Sequence, residues 1–139
     1  MCLKRCFLIF ACVVLIGCER PVYEIVGGSG LSESDLTDRW LVINYWATWC
    51  KPCKQVMKHL NKYHNDYKNQ GLTVVMINQD TPRSLGKVKA YINSKGYDFL
   101  VSIDPNQQIS KKLNGQIMPN LILVNKDATV KWRHQGYMP

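Results

Sequence analysis

The residues best suited to chemistry are two cysteines, Cys50 and Cys53, separated by Lys51 and Pro52. The apolar run 40–46 before them is typical of a buried strand, and the residues after Cys53 have helical spacing. Cys50 would therefore lie at a helix N-terminus, where free backbone N–H groups and the helix dipole stabilise a thiolate. This arrangement predicts reversible thiol-disulfide exchange.

The two sulfurs are predicted to have different roles. Cys50 would be the exposed nucleophile, with a pKa lowered from about 8.5 into the range of roughly 3.5–7.5, and Lys51 adds positive charge beside it. Cys53, one turn inside the helix, would attack the mixed disulfide and release the product. Pro52 suits the first helical turn, where its missing N–H costs nothing, and it fixes the backbone between the sulfurs.

Zinc binding and a purely structural disulfide are the alternatives for this cysteine pair. A zinc site would need further ligands, yet the chain has no second Cys-x-x-Cys pair. The other cysteines all lie near the N-terminus, and the histidines are scattered: Cys2, Cys6, Cys12, Cys18, and His59, His64 and His134. A loop this short loses little entropy on closure, so a structural disulfide here would stabilise weakly. Redox chemistry is favoured, with no metal and no cofactor other than the redox-active disulfide.

Composition indicates one ordinary globular domain. The chain has 139 residues, of which 46% are hydrophobic, so a core can form without disulfide staples. Its formal charge of +8 comes from lysines spread along the sequence at spacings typical of solvated helix faces. Nucleic-acid binding is therefore not predicted, whereas attraction to an anionic lipid surface is.

The N-terminus has the three parts of a secretory signal: basic Lys4 and Arg5, the apolar run 7–16, and Gly17 before Cys18. Residues 15–18 resemble a bacterial lipobox, which implies that Cys18 is acylated and becomes the first residue. An uncut anchor or a buried N-terminal helix is the alternative. The predicted organisation is a signal peptide over 1–17, lipidated Cys18 with a flexible tether over 18–35, and a folded domain over 36–139.

Beyond the tether, strand and helix patterns alternate, which predicts a mixed α/β sheet. We expect strands at 41–45, 72–78 and 99–103, a closing hairpin of 121–124 and 129–133, and helices after Cys50, Thr81 and Asp104. The first helix is expected to turn an apolar stripe inward: Val56, Met57, Leu60, Tyr63 and Tyr67. Trp46 is expected in the core.

Residues 42–53 resemble the active-site segment of thioredoxin-fold proteins, specifically the membrane-tethered, TlpA/ResA-like thiol-disulfide oxidoreductases. The sequence Ile117-Met118-Pro119 is similar to the family's cis-proline loop, and the segment between Asn78 and Asn114 is similar to the insertion that marks this branch. The resemblance covers about residues 36–137. It implies a thioredoxin-like fold: a central mixed sheet flanked by helices, with an inserted helix and strand.

The resemblance also implies roles for residues around the cysteines. Pro119 would be cis and would place the Met118 backbone beside Cys50, ready to pair with an extended substrate segment. Without the cysteine motif, an ordinary trans proline would be expected at Pro119. Trp49 would pack beside the thiols. The implied substrate-binding set is Trp49, Lys51, Pro52, Met118 and Pro119.

Three features depart from the family pattern. Asn44 occupies the position at which thioredoxin has a buried aspartate, and residues 55–57 lack the glutamate that many tethered relatives have after the second cysteine. The sequence also ends at Pro139, where such domains continue into a last helix. The fold prediction therefore includes the absence of this C-terminal helix.

The implied function is a cell-envelope reductase of protein disulfides, of the cytochrome c maturation type. Such a protein is held to the membrane by its N-terminal lipid, faces the periplasmic or extracytoplasmic side, and receives electrons from a membrane donor of the thioredoxin-reducing type. Two alternatives remain: a copper-chaperone-like metal delivery protein that would use both thiols and a histidine such as His134, and a non-catalytic thioredoxin-like binding module.

Overall fold

The computed structural model describes residues 36–138. The predicted signal peptide, Cys18 and the tether lie outside the described residues. No helix within 36–138 is both long enough and apolar enough to cross a membrane.

A five-stranded mixed sheet forms the centre of the domain. Its strands are β1 (Trp40–Trp46), β2 (Leu72–Asn78), β3 (Leu100–Ile103), β4 (Asn120–Val124) and β5 (Val130–Gln135). The helices are α1 (Lys51–Tyr67), α2 (Leu85–Lys95) and α3 (Gln108–Lys112), and short 3₁₀ turns span Lys68–Gln70 and Pro82–Ser84. The strand order is β3-β2-β1-β4-β5. This is the thioredoxin-like arrangement, and the inserted helix and strand are α2 and β3.

Strand directions define two ends of the sheet. β1, β2 and β3 are parallel, whereas β4 is antiparallel to β1, with Asn120 opposite Tyr45 and Val124 opposite Leu41. The three parallel strands therefore end where β4 begins and where β1 leads into Cys50. We call this the cysteine end of the sheet, and the end at which β1, β2 and β3 begin is the opposite end.

Apolar side chains cover both faces of the sheet because residues along each strand alternate between the faces. On the face beneath α1, Trp46, Cys53 and Met57 are fully buried in one cluster. On the other face, Tyr45 and Ile122 are buried in a second cluster. The predictions of Trp46 and Met57 as core residues are confirmed.

The predicted inward stripe of α1 is wrong in its last two turns. Tyr63 and Tyr67 are 52% and 45% exposed, and they stack on each other at the surface, with ring centroids 6.5 Å apart. The buried residues of this helix include Leu60 and His64. Each residue turns the helix by about 100°, so a stripe centred on Leu60 and His64 leaves Tyr63 at its margin.

The helices that follow begin later than predicted. Thr81 opens a 3₁₀ turn before α2 starts at Leu85, and α2 ends at Lys95, followed by Gly96, whose left-handed φ of 63° suits glycine. α3 starts at Gln108 rather than directly after Asp104. After β5, residues 136–138 form no helix.

Candidate active site

The turn between β1 and α1 places Cys50 at the cysteine end. The Cys50 backbone N–H donates to the carbonyl oxygen of Ala47 at 3.0 Å, which closes the turn directly after the strand. Cys50 is the N-cap of α1, and its sulfur accepts a hydrogen bond from the backbone N–H of Cys53 at 3.3 Å. An N-cap normally uses an oxygen for this contact, so here the sulfur occupies the place where a helix favours negative charge.

Cys50 and Cys53 form a disulfide bond, with their Cα atoms 5.3 Å apart. Cys53 is fully buried, and its sulfur lies 3.9 Å from the carbonyl oxygen of Tyr45. Cys50 is only 6% exposed, so the prediction of an exposed nucleophile is wrong for this oxidised form. The bond to a buried partner holds the Cys50 sulfur against the apolar cluster beneath α1.

The side chains flanking Cys50 face solvent to different degrees. Trp49 is 71% exposed, so most of its side chain faces solvent, and its packing beside the thiols stays a prediction. The reason is local, because Thr48 and Cys50 on either side of it are both fixed to the domain interior and the intervening side chain points away. Lys51 is exposed, and Pro52, at the start of α1, is half-buried.

The loop before β4 brings Met118 and Pro119 to the same end of the sheet. The Met118–Pro119 peptide bond is cis, as the resemblance implied. Pro119 is buried, and its carbonyl oxygen accepts from the backbone N–H of Gly136 at 2.7 Å. Met118 is partly buried and packs against both core clusters, including the one that contains the cysteines. Ile117 beside it is exposed.

Asp80 is a site residue that the sequence reasoning missed. It is 2% exposed and lies two residues after the end of β2. Its carboxylate accepts from the Thr48 backbone N–H at 2.7 Å, from the Thr48 hydroxyl at 2.6 Å and from the Asn78 side-chain amide at 2.7 Å. An acid after a buried parallel strand was the available signal, because the ends of parallel strands meet. Asp80 thereby ties β2 to the turn that carries Cys50.

The buried amide of Asn44 lies on the face of β1 beneath α1. Asn44 is fully buried, and neither its side-chain oxygen nor its nitrogen has a hydrogen-bond partner among the described residues. The side chain is neutral, so it supplies no carboxylate that could take a proton from a thiol. Buried polar groups without a hydrogen-bond partner are uncommon in folded proteins.

A basic and aromatic surface flanks the start of α1. The Lys54 ammonium lies 4.8 Å from the centre of the Tyr91 ring, and that ring lies 5.7 Å from the ring of Trp46. Burial raises the pKa of Tyr91 to about 12, and the neighbouring Tyr97 contributes to the same rise. Tyr91 therefore stays neutral at physiological pH and serves as an aromatic support for Lys54.

Within residues 36–138, no three or more His, Cys, Asp or Glu side chains lie close enough together to bind a metal ion. His134, the ligand considered for a copper-delivery protein, does not join the two cysteines in such a group. It lies on β5, where its ring stacks on Trp132 with centroids 5.8 Å apart.

Comparison with known proteins agrees with this geometry. A model of the AhpC/TSA family matches residues 23–133, most of the sequence. The chain belongs to the AhpC/TSA family.

Curated relatives of this family member carry the name thiol-disulfide oxidoreductase ResA. One from Bacillus thuringiensis is 31% identical over 117 residues, covering 83% of this chain and 66% of the relative. Another from Geobacillus kaustophilus is 28% identical over 127 residues, covering 90% of this chain and 72% of the relative. The chain thus spans about two thirds of the length of these relatives.

Solved structures share the fold. A candidate thiol:disulfide interchange protein DsbE from Chlorobium tepidum has a TM-score of 0.75 and 26% identity, with 87% of this chain and 86% of that chain covered. A thiol-disulfide isomerase from Corynebacterium glutamicum has a TM-score of 0.74 and 21% identity, with coverage of 87% and 86%. The second likeness concerns the fold alone.

Proposed function

We propose that this AhpC/TSA family member is a thiol-disulfide oxidoreductase of the cell envelope that reduces protein disulfides through Cys50 and Cys53. The observation that carries the proposal is the disulfide bond at the first turn of α1, with Cys50 as N-cap and Cys53 fully buried. The names of the ResA relatives support the same class of activity.

The reaction starts from the reduced pair. The Cys50 thiolate attacks one sulfur of a substrate disulfide, a mixed disulfide forms, and the released substrate thiolate takes a proton from solvent. Cys53 then loses its proton and attacks the Cys50 sulfur, which restores the Cys50–Cys53 disulfide and releases the second substrate thiolate. Two electrons have moved from the pair to the substrate.

Continued turnover needs a dithiol donor, which we propose to be a membrane protein of the thioredoxin-reducing type. Acylated Cys18 would hold the domain at the membrane on the extracytoplasmic side, where oxidised thiols of cytochrome c precursors are the proposed substrates. Trp49, Lys51, Pro52, Met118 and Pro119 form the proposed substrate-binding set. The substitution Cys18→Ala tests the anchor. The variant expressed in a bacterium should be lost from the membrane fraction, in which the wild-type chain is expected.

Reduction of insulin by dithiothreitol tests the activity. The wild-type chain should accelerate insulin precipitation, and Cys50→Ser should proceed at the uncatalysed rate. Cys53→Ser should accumulate a mixed disulfide through Cys50, visible by mass spectrometry as an adduct that dithiothreitol removes. A wild-type rate equal to the uncatalysed rate would favour the non-catalytic binding module.

The reduction potential of the pair tests the direction of electron flow. A potential near that of thioredoxin, about −270 mV, agrees with a reductant, whereas one near that of DsbA, about −120 mV, indicates an oxidant. Equilibration with defined glutathione or dithiothreitol buffers measures this potential without any protein substrate.

A further inference from the structure

Carboxylates are distributed very unevenly over the domain. Residues 36–138 contain no glutamate and six aspartates: Asp38, Asp66, Asp80, Asp98, Asp104 and Asp127. Two of these are buried at the ends of parallel strands, Asp80 after β2 and Asp104 after β3. The Asp104 carboxylate accepts from the backbone N–H groups of Ile109 and Ser110 and caps α3. Both acids at the cysteine end are therefore turned into the protein.

The four exposed aspartates all lie at the opposite end. Asp38 precedes β1 and Asp98 precedes β3, so both lie where these strands begin. Asp66 is in the last turn of α1, which runs back from the cysteine end. Asp127 is in the turn between β4 and β5, and β4 reaches that turn beside Leu41. The described cysteine end thus has no exposed carboxylate.

Basic side chains occupy the cysteine end instead. Lys51 and Lys54 are in the first two turns of α1, Arg83 is in the 3₁₀ turn after β2, and Lys87 is in the first turn of α2. None of the four forms an ion pair with another described residue, since the ion pairs within 36–138 involve Lys62, His64 and Lys68. The N-terminus of α1 adds its own partial positive charge.

From this charge distribution we infer that the cysteine end recognises protein segments that carry acidic residues next to the disulfide to be reduced. The inference rests on the proposed function, and it names the class of substrate. These basic groups lie on elements that begin at the same end of the sheet as Cys50, so an acidic segment is attracted to the end at which its disulfide would be reduced. A nucleic acid would match the charge but would make no use of the cysteines.

The expected effect is on encounter rate and orientation. A cluster of like charges around a site raises the local concentration of an oppositely charged partner, and the gain falls steeply with ionic strength. At about 0.15 M salt the screening length is roughly 8 Å, so charges close to Cys50 still act on an approaching segment. Charges at the opposite end are too far away to contribute equally.

Matched peptide disulfides test the inference. One peptide carries two aspartates on each side of its cysteine, the other carries asparagines, and both are used as disulfide-linked dimers. Reduction by the dithiothreitol-regenerated protein gives kcat/KM for each, divided by the rate constant for dithiothreitol alone to remove intrinsic reactivity. The wild-type chain should favour the aspartate peptide about 5- to 10-fold at low salt and by less than about 2-fold at 0.5 M NaCl.

Two charge-matched double variants locate the effect. R83Q/K87Q removes two cations from the cysteine end without altering α1, and its preference for the aspartate peptide should fall at least about 2- to 3-fold. K126Q/K131Q removes two cations near the turn between β4 and β5 and should keep the wild-type preference. Equal normalised rates for the two peptides, or equal losses in the two variants, would overturn the inference.

A binding measurement separates this inference from the proposed activity. The same peptides with serine in place of cysteine are titrated into the oxidised protein and followed by amide chemical shifts. The aspartate peptide should bind more tightly than the asparagine peptide and should shift signals at residues 49–54 and 83–87, even if no disulfide is reduced. Tighter binding of a single-stranded oligonucleotide at the same end would overturn the inference in favour of a nucleic-acid site.

Discussion

The two ends of the sheet use their carboxylates in opposite ways. At the cysteine end, Asp80 is buried and accepts three hydrogen bonds, two of them from Thr48 in the turn before Cys50. At the opposite end, Asp66 and Asp98 are exposed and pair with the lysines Lys62 and Lys68, each at 2.6 Å. The first arrangement fixes backbone geometry, whereas the second pairs charges in solvent.

This difference indicates where the fold is sensitive to substitution. Loss of an acceptor from a buried network leaves donors without partners, whereas loss of one partner from a surface ion pair exposes the other to water. We therefore expect the cysteine end to tolerate fewer changes, although both ends contain the same residue types.

Asp80→Ala is expected to have the largest effect on stability. It leaves two donors of Thr48 and one of Asn78 without an acceptor, so the free energy of unfolding should fall by about 2–4 kcal/mol. Asp98→Ala, the matched change at the opposite end, should cost less than about 1 kcal/mol. Urea denaturation of both variants measures the difference, and similar losses would show that the Asp80 network does not fix the turn.

Gly115→Ala should perturb the loop that leads to Met118. A Cβ atom at Gly115 would lie 2.6 Å from ring atoms of the fully buried Tyr45, so the ring or the loop backbone would have to shift. Overpacking of this kind should lower the free energy of unfolding by about 1–3 kcal/mol. Gly86→Ala is the control, because nothing lies within 4 Å of its Cβ position and the residue is helical. If the two variants had the same free energy of unfolding, the close contact between Gly115 and Tyr45 would be contradicted.

His64, which lies at the opposite end of the sheet, should make the free energy of unfolding depend slightly on pH. Burial lowers its pKa, against the effect of the nearby Asp98 carboxylate. His64 in the folded state therefore binds a proton less readily than in the unfolded state. Its contribution to the free energy of unfolding is complete above the unfolded pKa of about 6.5 and is lost as pH falls through the folded pKa.

Substitution of His64 isolates its contribution to the pH dependence of stability. The pKa of Asp98 is lowered chiefly by the hydrogen bond from Lys68, so its own contribution is lost at lower pH than that of His64. Denaturation between pH 7 and pH 5 should show a shallower decline for His64→Gln than for the wild-type chain. His59→Gln, at an exposed position of the same helix, should decline like the wild-type chain. Equal slopes for all three proteins would contradict the account of His64.

Much of the fold could be predicted from local sequence pattern. The apolar run ending at Trp46, the motif at Cys50 and the glycine at Gly96 mark a strand, a helix start and a helix end, and the structure has these elements there. The pairing of β1 with β2 and β4 agrees with the thioredoxin-like prediction. The strand, the helix start and the helix end depend on neighbouring residues, which a sequence shows directly, whereas the strand pairing was implied by the family resemblance.

Other features depend on contacts between distant residues. Tyr63 and Tyr67 have the spacing of core residues, but the position of α1 on the sheet leaves them in solvent. Trp49 is exposed because the residues on either side of it are fixed inward. Asp80 lies 32 residues from Thr48 in sequence, and only the parallel pairing of β1 and β2 brings them together.

Selective alkylation of the reduced protein tests the central claim most directly. One equivalent of iodoacetamide at neutral pH, followed by peptide mapping and an insulin-reduction assay, reports which sulfur reacts and whether it is needed. The account predicts a single adduct on Cys50 and reduction at the uncatalysed rate. An adduct on Cys53 alone, or full activity after Cys50 is modified, would contradict it.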